Sequence, residues 1–159
     1  MSITAGEFKS TLARWPSGVS VVTARQGERL TGMTVSAFCS VSLSPPLILI
    51  CAANTSETCA MIQGCGRFAV NVLASAQREI SQRFADPELE GQRFDDLEFH
   101  FGKSGMPILA QVAASLECKL VHNSVQGDHH VLIGEVEHAE HNDRSPLLFH
   151  RGKYHDLAD

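Results

Sequence analysis

The chain lacks any long apolar segment, which excludes one broad class of protein. Its longest uninterrupted apolar run covers residues 47–53, whereas a helix that spans a bilayer needs about 20 apolar residues. Residues 1–7 contain no basic start followed by an apolar stretch, as a secretory signal would. The sequence therefore predicts a cytoplasmic protein with no membrane partner.

Clusters of positive charge are also missing. The formal net charge is −5, and the 13 lysines and arginines are spread along the chain without forming a stripe. Nucleic acids and anionic membranes are bound by clustered Lys and Arg side chains, so we expect neither as a partner. A bound phosphate group would need a local arrangement that acts against the overall negative charge.

Paired cysteines and metal-ligand motifs are absent as well. None of the five cysteines belongs to a Cys-x-x-Cys pair, which predicts reduced, buried thiols. His138 and His141 lie three residues apart, but no second ligand pair has the spacing of a structural zinc site. We expect no metal. A metal-binding module built from the eight histidines and five cysteines is an alternative, which metal analysis would decide.

What the sequence does contain is typical of a globular protein. It has 159 residues, of which 43% are hydrophobic and 19% are charged. Neither a repeat, a linker nor a low-complexity segment divides it. Because this length matches one domain, we expect residues 1–159 to fold as a single unit.

Residues 33–43 carry the clearest pattern, with apolar residues at every odd position and hydroxyls at most even positions. This strict period of two predicts extended chain with one face in a core. Since the segment is long for one strand, we expect a bend within it. Pro45 and Pro46 interrupt the pairing, and residues 47–53 then read as a buried strand.

Other segments complete a mainly β pattern. A turn is predicted at 123–127 and an irregular segment at 88–107. About seven short strands with few helices favour an antiparallel barrel or sandwich. The glycine motif at 64–69 resembles a dinucleotide fingerprint only in its letters, because it follows a helix and precedes a strand. The further predicted strands are 18–24, 68–73, 115–122, 128–139 and 147–149, and the predicted helices are 6–14, 54–63 and 75–85.

A row of hydroxyl side chains lies opposite the apolar positions of residues 33–43. In an average strand such a row faces water. Two features favour a ligand instead, because Phe38 interrupts the row and a hydroxyl-rich helix start at 54–56 follows the next strand. Hydroxyls and N–H groups at a helix N-terminus can bind phosphate without a lysine. The row consists of Thr34, Ser36, Ser40 and Ser42.

A Gly-Asp-His motif at 127–129 places a histidine just past a predicted hairpin turn. The alternative is an ordinary turn histidine in solvent. Gly134 in the following strand predicts a bulge or a close backbone approach. Arg78 and Arg83, in the predicted helix 75–85, are typical surface charges, but one of them could supply a cation to a bound phosphate.

Five segments, taken in order, resemble the short-chain NAD(P)H:flavin reductases. These proteins are the reductase components of two-component flavin-dependent monooxygenases. The resemblance extends from about residue 8 to residue 157, nearly the whole chain. The five segments are 32–47 (GMTVSAFCSVSLSPPL), 18–23, 68–73, 127–129 with 134–136, and 146–149 with 152–154.

The resemblance implies a Greek-key antiparallel split β-barrel with a few short helices, usually a homodimer, with FMN or FAD near the dimer interface. The isoalloxazine ring would lie beside residues 34–36 and 51–52, and Phe84 would close the site. The nicotinamide of NADH or NADPH would lie near His129, with Tyr154 close by. The implied phosphate and ribityl contacts are Ser40, Val41, Asn54, Ser56 and Thr58. The expected cofactor-binding residues are Met33, Thr34, Val35, Ser36, Ser40, Val41, Cys51, Ala52, Asn54, Ser56, Thr58, Arg83, Phe84, His129 and Tyr154.

The chain departs from the related sequences at one point. They often carry Lys or Arg in the stretch that corresponds to residues 53–58, and this chain has neither there. We therefore expect hydroxyls, backbone N–H groups or Arg83 to meet the phosphate charge.

The reaction that the resemblance implies is hydride transfer from the nicotinamide to the flavin, and the reduced flavin then leaves for a separate monooxygenase. Because the two cofactors carry this chemistry, we expect no catalytic side chain and no catalytic cysteine. A flavin-binding electron-transfer protein on the same barrel is the alternative. In the expected homodimer, apolar side chains of the irregular segment would seal the contact. These are Phe94, Leu97, Phe99 and Phe101.

Overall fold

The computed structural model describes residues 3–157 and consists mainly of antiparallel β-strands. The strands form one seven-stranded sheet, one three-stranded sheet and one two-stranded sheet. In chain order they are β1 (Ser17–Gly18), β2 (Ser20–Gln26), β3 (Arg29–Val35), β4 (Phe38–Leu43), β5 (Pro46–Ala53), β6 (Arg67–Val72), β7 (Phe99–Phe101), β8 (Pro107–Leu109), β9 (Ala114–Gln126), β10 (His129–His141), β11 (Leu148–His150) and β12 (Lys153–His155).

Three short α-helices begin and end close to the predicted positions. Ser56 caps α2 by accepting the backbone N–H of Cys59 at 3.3 Å, and Gly66, with φ of 70°, ends it. Within residues 3–157, none of the helices is long and apolar enough to cross a membrane. The helices are α1 (Ala5–Leu12), α2 (Glu57–Cys65) and α3 (Arg78–Ala85), with 3₁₀ segments at Ser75–Gln77 and Pro87–Gln92.

The seven-stranded sheet closes on itself because of one short connection. Its order is β3-β2-β6-β9-β10-β5-β4, so the two edge strands are β3 and β4. Only Ser36 and Ala37 separate these strands. Three residue steps span at most about 10 Å, whereas the width of a flat seven-stranded sheet is about 29 Å. The sheet must therefore curl until its edges meet, which confirms the predicted antiparallel barrel.

The bend at Ser36 and Ala37 also reverses which side chains face the core. Before it, Met33 and Val35 pack into the barrel core, as the alternation predicts. After it, Phe38 packs inward opposite Ile50. The prediction that the odd positions stay buried along the whole segment is wrong beyond the bend, because the inward register shifts by one residue there. The exposed odd positions are Cys39, Val41 and Leu43.

Two main apolar clusters hold the barrel and its flank. The first fills the barrel and includes Phe68, Leu132 and Ile62 of α2. The second joins the barrel to α3 and to β11, and includes Phe84 and Leu147. Burial of these large side chains is the main stabilising contribution, at about 1.5–3 kcal/mol for each.

The irregular segment at 88–107 contains more structure than predicted, namely the end of the second 3₁₀ segment and the strand β7. Phe94 packs edge-on against Phe84 and Phe99, with ring centroids 5.3 Å apart in each pair. Leu97 also packs against the second cluster. Three of the four side chains expected at a dimer contact therefore pack within their own chain, and only Phe101 is exposed.

The long hairpin of β9 and β10 differs from the prediction in its turn. β9 continues through residues predicted as a turn at 123–127 and ends at Gln126, because its residues pair with β10. Gly127 and Asp128 alone form the connection. Gly134 does mark a bulge, as predicted. A Cβ atom there would lie 2.5 Å from Cζ of Phe68, so only glycine lets the backbone approach that ring.

A buried carboxylate holds the turn between β7 and β8. Glu117 of β9 is 6% exposed and accepts the backbone N–H groups of Lys103 at 2.9 Å and Ser104 at 2.6 Å. It also accepts the hydroxyl of Ser104. Burial acts to raise the pKa of Glu117, but the hydrogen bonds from Ser104 and Lys103 outweigh it and hold the pKa below its ordinary value of 4.5.

We predict that Glu117→Gln lowers the free energy of unfolding by about 2 kcal/mol at neutral pH, the scale for hydrogen bonds to a charged group. The folded-state pKa is lowered, so this stabilisation is present above 4.5 and is lost as pH falls through the lower folded-state value. Urea denaturation should show a smaller penalty at about pH 3 than at pH 7. Glu140→Gln, at an exposed position of β10, is the control. Equal penalties at both pH values would contradict this role.

Candidate functional site

A cleft of about 460 Å³ opens beside the Ser36 and Ala37 connection. We call it the polar cleft. The end of β3, the end of β5, the start of α2, the end of α3 and the start of β10 all contribute to its walls. Its lining residues are Met33, Thr34, Val35, Ser36, Ala37, Cys51, Ala52, Ala53, Thr55, Ser56, Phe84, Ala85, Pro87, Glu90, Arg93 and His129.

The polar cleft brings together most of the residues that the resemblance implies for cofactor binding. They come from positions 33 to 129 of the chain, and the closure of the barrel makes them neighbours. The predicted residues that line it are Met33, Thr34, Val35, Ser36, Cys51, Ala52, Ser56, Phe84 and His129.

Four of the five predicted phosphate and ribityl contacts lie outside this cleft, and only Ser56 lines it. Ser40 and Val41 are exposed on the edge strand β4. Thr58 is fully buried, and its hydroxyl lies 2.8 Å from that of Thr31. The hydroxyl of Thr58 is therefore bonded within the core, which corrects the expectation that it faces a ligand here.

Asn54, Arg83 and Tyr154 also lie outside the cleft lining. Asn54 donates its side-chain N–H to the carbonyl of Gly127 at 3.2 Å, and so supports the hairpin turn. Arg83 donates to the carbonyl of Asp95 at 2.8 Å. Arg83 is half-buried, and this hydrogen bond engages its guanidinium outside the cleft lining.

Tyr154 contributes to the cleft through a neighbour. Its hydroxyl lies 2.9 Å from that of Ser81 in α3, and its ring packs edge-on against Phe149. The backbone carbonyl of Ser81 accepts the hydroxyl of Thr34 at 2.7 Å. Tyr154 therefore does not line the cleft itself. It anchors α3 at Ser81, the residue whose carbonyl bonds Thr34 of the cleft wall.

The hydroxyls of the cleft are partly used within the protein. Thr34 donates to Ser81, so toward a ligand its oxygen is left as an acceptor. Ser56 accepts from Cys59 and donates to the sulfur of Met33 at 3.2 Å. Ser36 and Thr55 supply the remaining hydroxyls of the lining.

The N-terminus of α2 adds a partial positive charge to the polar cleft. Thr55 and Ser56, which precede its first turn, line the cleft. Unpaired N–H groups and the helix dipole favour an anion at such an end. The first-turn acid Glu57 is neutralised by an ion pair with Arg29.

Phe84 forms a fixed wall of the cleft. Its ring is 1% exposed and packs directly against the backbone of Gly32. A Cβ atom on Gly32 would lie 2.7 Å from that ring, so glycine is required for this close packing. Phe94 supports the ring from behind, with centroids 5.3 Å apart. Phe84 thus shapes the wall of the site.

His129 is the first residue of β10 and lies on the cleft rim. Its Nδ1 lies 2.7 Å from a carboxylate oxygen of Asp128. Because a carboxylate only accepts, Nδ1 carries the proton and Nε2 of the neutral ring is an acceptor. The hydrogen bond to His129 holds the pKa of Asp128 below its ordinary value. His130 points to the other face of the strand and lies 2.7 Å from the side-chain oxygen of Asn123.

Arg93 is a residue of the cleft that the sequence did not single out. Its side chain is 6% exposed. Its guanidinium donates to the carbonyls of Gly32 at 2.7 Å and Asp86 at 2.8 Å. Those acceptors lie 61 and 7 residues away in the chain. Since no local pattern links the three residues, sequence reasoning had no signal to find it.

Three of the cysteine thiols have raised pKa values and are therefore protonated at neutral pH. Burial raises the pKa of Cys51, and the neighbouring Cys39 adds to this. Burial also raises the pKa of Cys59, and raises that of Cys118 to about 12. Thiolates are the reactive form, so none of these three is prepared for nucleophilic chemistry. In residues 3–157, we find no group of three or more His, Cys, Asp or Glu side chains arranged to bind a metal.

A second cleft of about 480 Å³, which we call the apolar cleft, adjoins the first. The two clefts share Ser36, Ala37 and Cys51. The connection between β3 and β4 thus separates two parts of one longer depression. The other residues that line the apolar cleft are Leu12, Ala13, Trp15, Ser17, Phe38, Cys39, Leu49, Phe149, His150, Arg151 and Gly152.

Comparison with known proteins gives similar chains over almost the full length. The FMN reductase (NADH) SmoA of Agrobacterium fabrum is 37% identical over 147 residues, which cover 92% of this chain and 83% of that protein. The flavin-dependent monooxygenase reductase subunit HsaB of Mycobacterium tuberculosis is 33% identical over 150 residues, covering 92% of this chain and 79% of that protein.

A solved structure also matches. The NADH:FAD oxidoreductase SgcE6 of Streptomyces globisporus, in complex with NAD and FAD fragments, superposes with a TM-score of 0.90 at 34% identity. The match covers 96% of this chain and 92% of that chain. The family described as the flavin reductase like domain matches residues 12–158. With its barrel, its cleft and these matches in agreement, the chain belongs to the flavin reductase-like domain family.

Proposed function

We propose that the protein is an NAD(P)H:flavin oxidoreductase that reduces FMN or FAD and releases the reduced flavin to a separate monooxygenase. The observation that carries this proposal is the convergence of residues 33–36, 51–52, 56, 84 and 129 on one cleft. The relatives support it, because SmoA is named as an FMN reductase that uses NADH and HsaB as the reductase subunit of a flavin-dependent monooxygenase. Their names favour NADH as the nicotinamide.

The polar cleft has the features that a flavin requires. Val35, Cys51 and Ala52 offer small apolar surfaces for a planar ring, and Phe84 closes one wall. Ser36, Thr55 and the N-terminus of α2 offer donors to a phosphate or ribityl group. When bound, the flavin supplies a hydride-accepting N5 position and the nicotinamide supplies the hydride. The protein supplies orientation and excludes water.

His129 orients the nicotinamide in this proposal. Because Nδ1 of His129 keeps its proton and donates it in a hydrogen bond to Asp128, Nε2 is free to accept an N–H of the carboxamide. The side chain is 47% exposed, so it can be reached from outside the cleft. No side chain acts as nucleophile or general base. The protonated state of the Cys51 thiol agrees with this.

Steady-state NADH and NADPH oxidation, each with FMN, FAD and riboflavin, tests the proposed activity. We expect NADH consumption that depends on added flavin. Absorbance titration of the protein with each flavin, run in parallel, separates binding from turnover. Flavin binding without nicotinamide oxidation would favour the electron-transfer alternative, and no binding of any flavin would contradict the proposal.

We predict that His129→Ala slows flavin reduction by NADH by roughly 10- to 100-fold, since an oriented hydrogen bond of about 1–3 kcal/mol is lost. Flavin affinity should barely change. Stopped-flow flavin bleaching gives the rate, and flavin titration gives the affinity.

His130→Ala is the matched control for this variant. His130 neighbours His129 but lies on the opposite face of β10, where it contacts Asn123. Its replacement should leave the rate of reduction unchanged. If His129→Ala instead loses flavin yet keeps its rate at saturating flavin, the assignment of His129 to the nicotinamide is wrong.

We also propose that the protein is a homodimer, through the outer face of β4, β5 and β10. Cys39, Leu49 and Ile133 form one row across these strands, and Cys51 and Val131 form the next. Their neighbours Ile48 and Ile50 point into the core. The outer face is therefore apolar and only half covered, as expected for a face that packs on a second copy.

Light scattering should give twice the chain mass of 17.3 kDa. Leu49→Lys should shift the mass to that of one chain, because it places a charge in the middle of the apolar rows. Val125→Lys is the control, since Val125 is 59% exposed and faces the other side of the hairpin with His130. A single-chain mass for the wild-type protein would overturn the proposed dimer.

A further inference from the structure

Arg93 is a buried cation with little neutralisation. Its side chain is 6% exposed, and its Nε has no hydrogen-bond partner among residues 3–157. The two carbonyls that it contacts, those of Gly32 and Asp86, are uncharged. A buried charge is costly unless an opposite charge accompanies it. The environment of Arg93 is therefore incomplete in the chain alone.

The nearest negative charge is that of Glu90. Its Oε1 lies 3.6 Å from Nη1 of Arg93, and its side chain is 38% exposed. This separation is longer than a charge-assisted hydrogen bond of about 2.7–2.9 Å. Glu90 is thus a partial, solvent-reachable counter-ion. Both residues line the polar cleft.

We propose that Arg93 provides the positive charge that attracts a phosphate group of the nucleotide in the polar cleft, and that Glu90 is the internal counter-ion with which that phosphate competes. This inference rests on the proposed function. It identifies Arg93 as the group that makes the polar cleft favour a phosphate-bearing ligand. The phosphate monoester of FMN carries about −1.5 to −2 charges at neutral pH. The wall around Arg93 is poorly solvated, so its charge is less screened there than at the surface.

The position of Arg93 in the fold supports this role. Its guanidinium joins Gly32 of β3 to Asp86, where the second 3₁₀ segment begins. Pro87 and Glu90 of that segment line the cleft. The charge is thus held against the cleft wall by two backbone contacts. Arg83, the cation expected from the sequence, lacks such a position because it lies outside the cleft lining and donates to the carbonyl of Asp95.

The phosphate could come from the flavin or from the nicotinamide nucleotide. Two ligand pairs distinguish these sources. FMN differs from riboflavin only by its phosphate, and reduced nicotinamide mononucleotide differs from reduced nicotinamide riboside only by its phosphate. In each pair the ratio of affinities isolates the contribution of the phosphate from that of the ring.

Glu90→Gln is the first variant, because it removes the competing charge from a half-exposed position. We expect it to raise the affinity for FMN relative to riboflavin by about 3- to 10-fold, with riboflavin affinity unchanged. Glu88→Gln, on the same 3₁₀ segment but outside the cleft lining, should leave the ratio unchanged.

Arg93→Met and Arg93→Lys form the second pair of variants. Arg93→Met should lower the FMN to riboflavin ratio by about 10-fold, whereas Arg93→Lys, which keeps the charge, should preserve it within about 3-fold. Arg83→Met is the control, because Arg83 is an arginine outside the cleft lining. Fluorescence quenching titrations give both affinities, and circular dichroism confirms that each variant is folded.

The outcomes distinguish a role of Arg93 in attracting phosphate from a purely structural role. A shift confined to the reduced nicotinamide pair would support the proposal and assign the phosphate to the nicotinamide nucleotide. An equal loss of FMN and riboflavin affinity in both Arg93 variants, with no change in Glu90→Gln, would show a purely structural clamp and overturn it. Wild-type protein that binds no flavin would overturn the proposed function as well.

Discussion

The closure of the barrel at Ser36 and Ala37 is the constraint on which the rest of the structure depends. These residues join the two edges of a seven-stranded sheet, and their carbonyls accept backbone N–H groups of Phe38 at 3.0 Å and Cys51 at 3.1 Å. Ladder pairing stops at this point, so the surface is open there. Both clefts share the residues of this seam. The need to close the barrel thus also creates the place where a ligand can bind.

Charge raises a second question, because a chain with a net charge of −5 is proposed to take anionic nucleotides. Long-range attraction works against such ligands, so any favourable field must be local. The N-terminus of α2 contributes about 0.3–1 kcal/mol, and Arg93 adds a charge partly opposed by Glu90. The balance favours modest affinity. That agrees with a protein whose proposed role requires the reduced flavin to leave.

The sequence predicted the β architecture, the bend within residues 33–43 and the bulge at Gly134, because each has a local signal in alternation or in glycine. It could not predict which side chains point inward after the bend, since that depends on how many residues the bend consumes. The hydroxyl row shows the same limit. Residue types indicated a polar site, but the use of Thr34 and Thr58 in internal hydrogen bonds depends on partners distant in the chain.

The wall of the polar cleft is buried and rigid, whereas its rim is polar and exposed to solvent. This difference determines how the cleft would bind its ligands. Phe84, held between Gly32 and Phe94, is almost fully buried and tightly packed against both. His129 and Glu90, by contrast, are 47% and 38% exposed. A rigid wall selects a planar ring by shape, whereas polar groups at the rim act on whatever approaches from solvent. Hydride transfer between two bound rings needs stacking and orientation more than proton transfer. A cleft whose shape is preorganised, and whose polar groups lie at its entrance, meets that need without any side chain reacting.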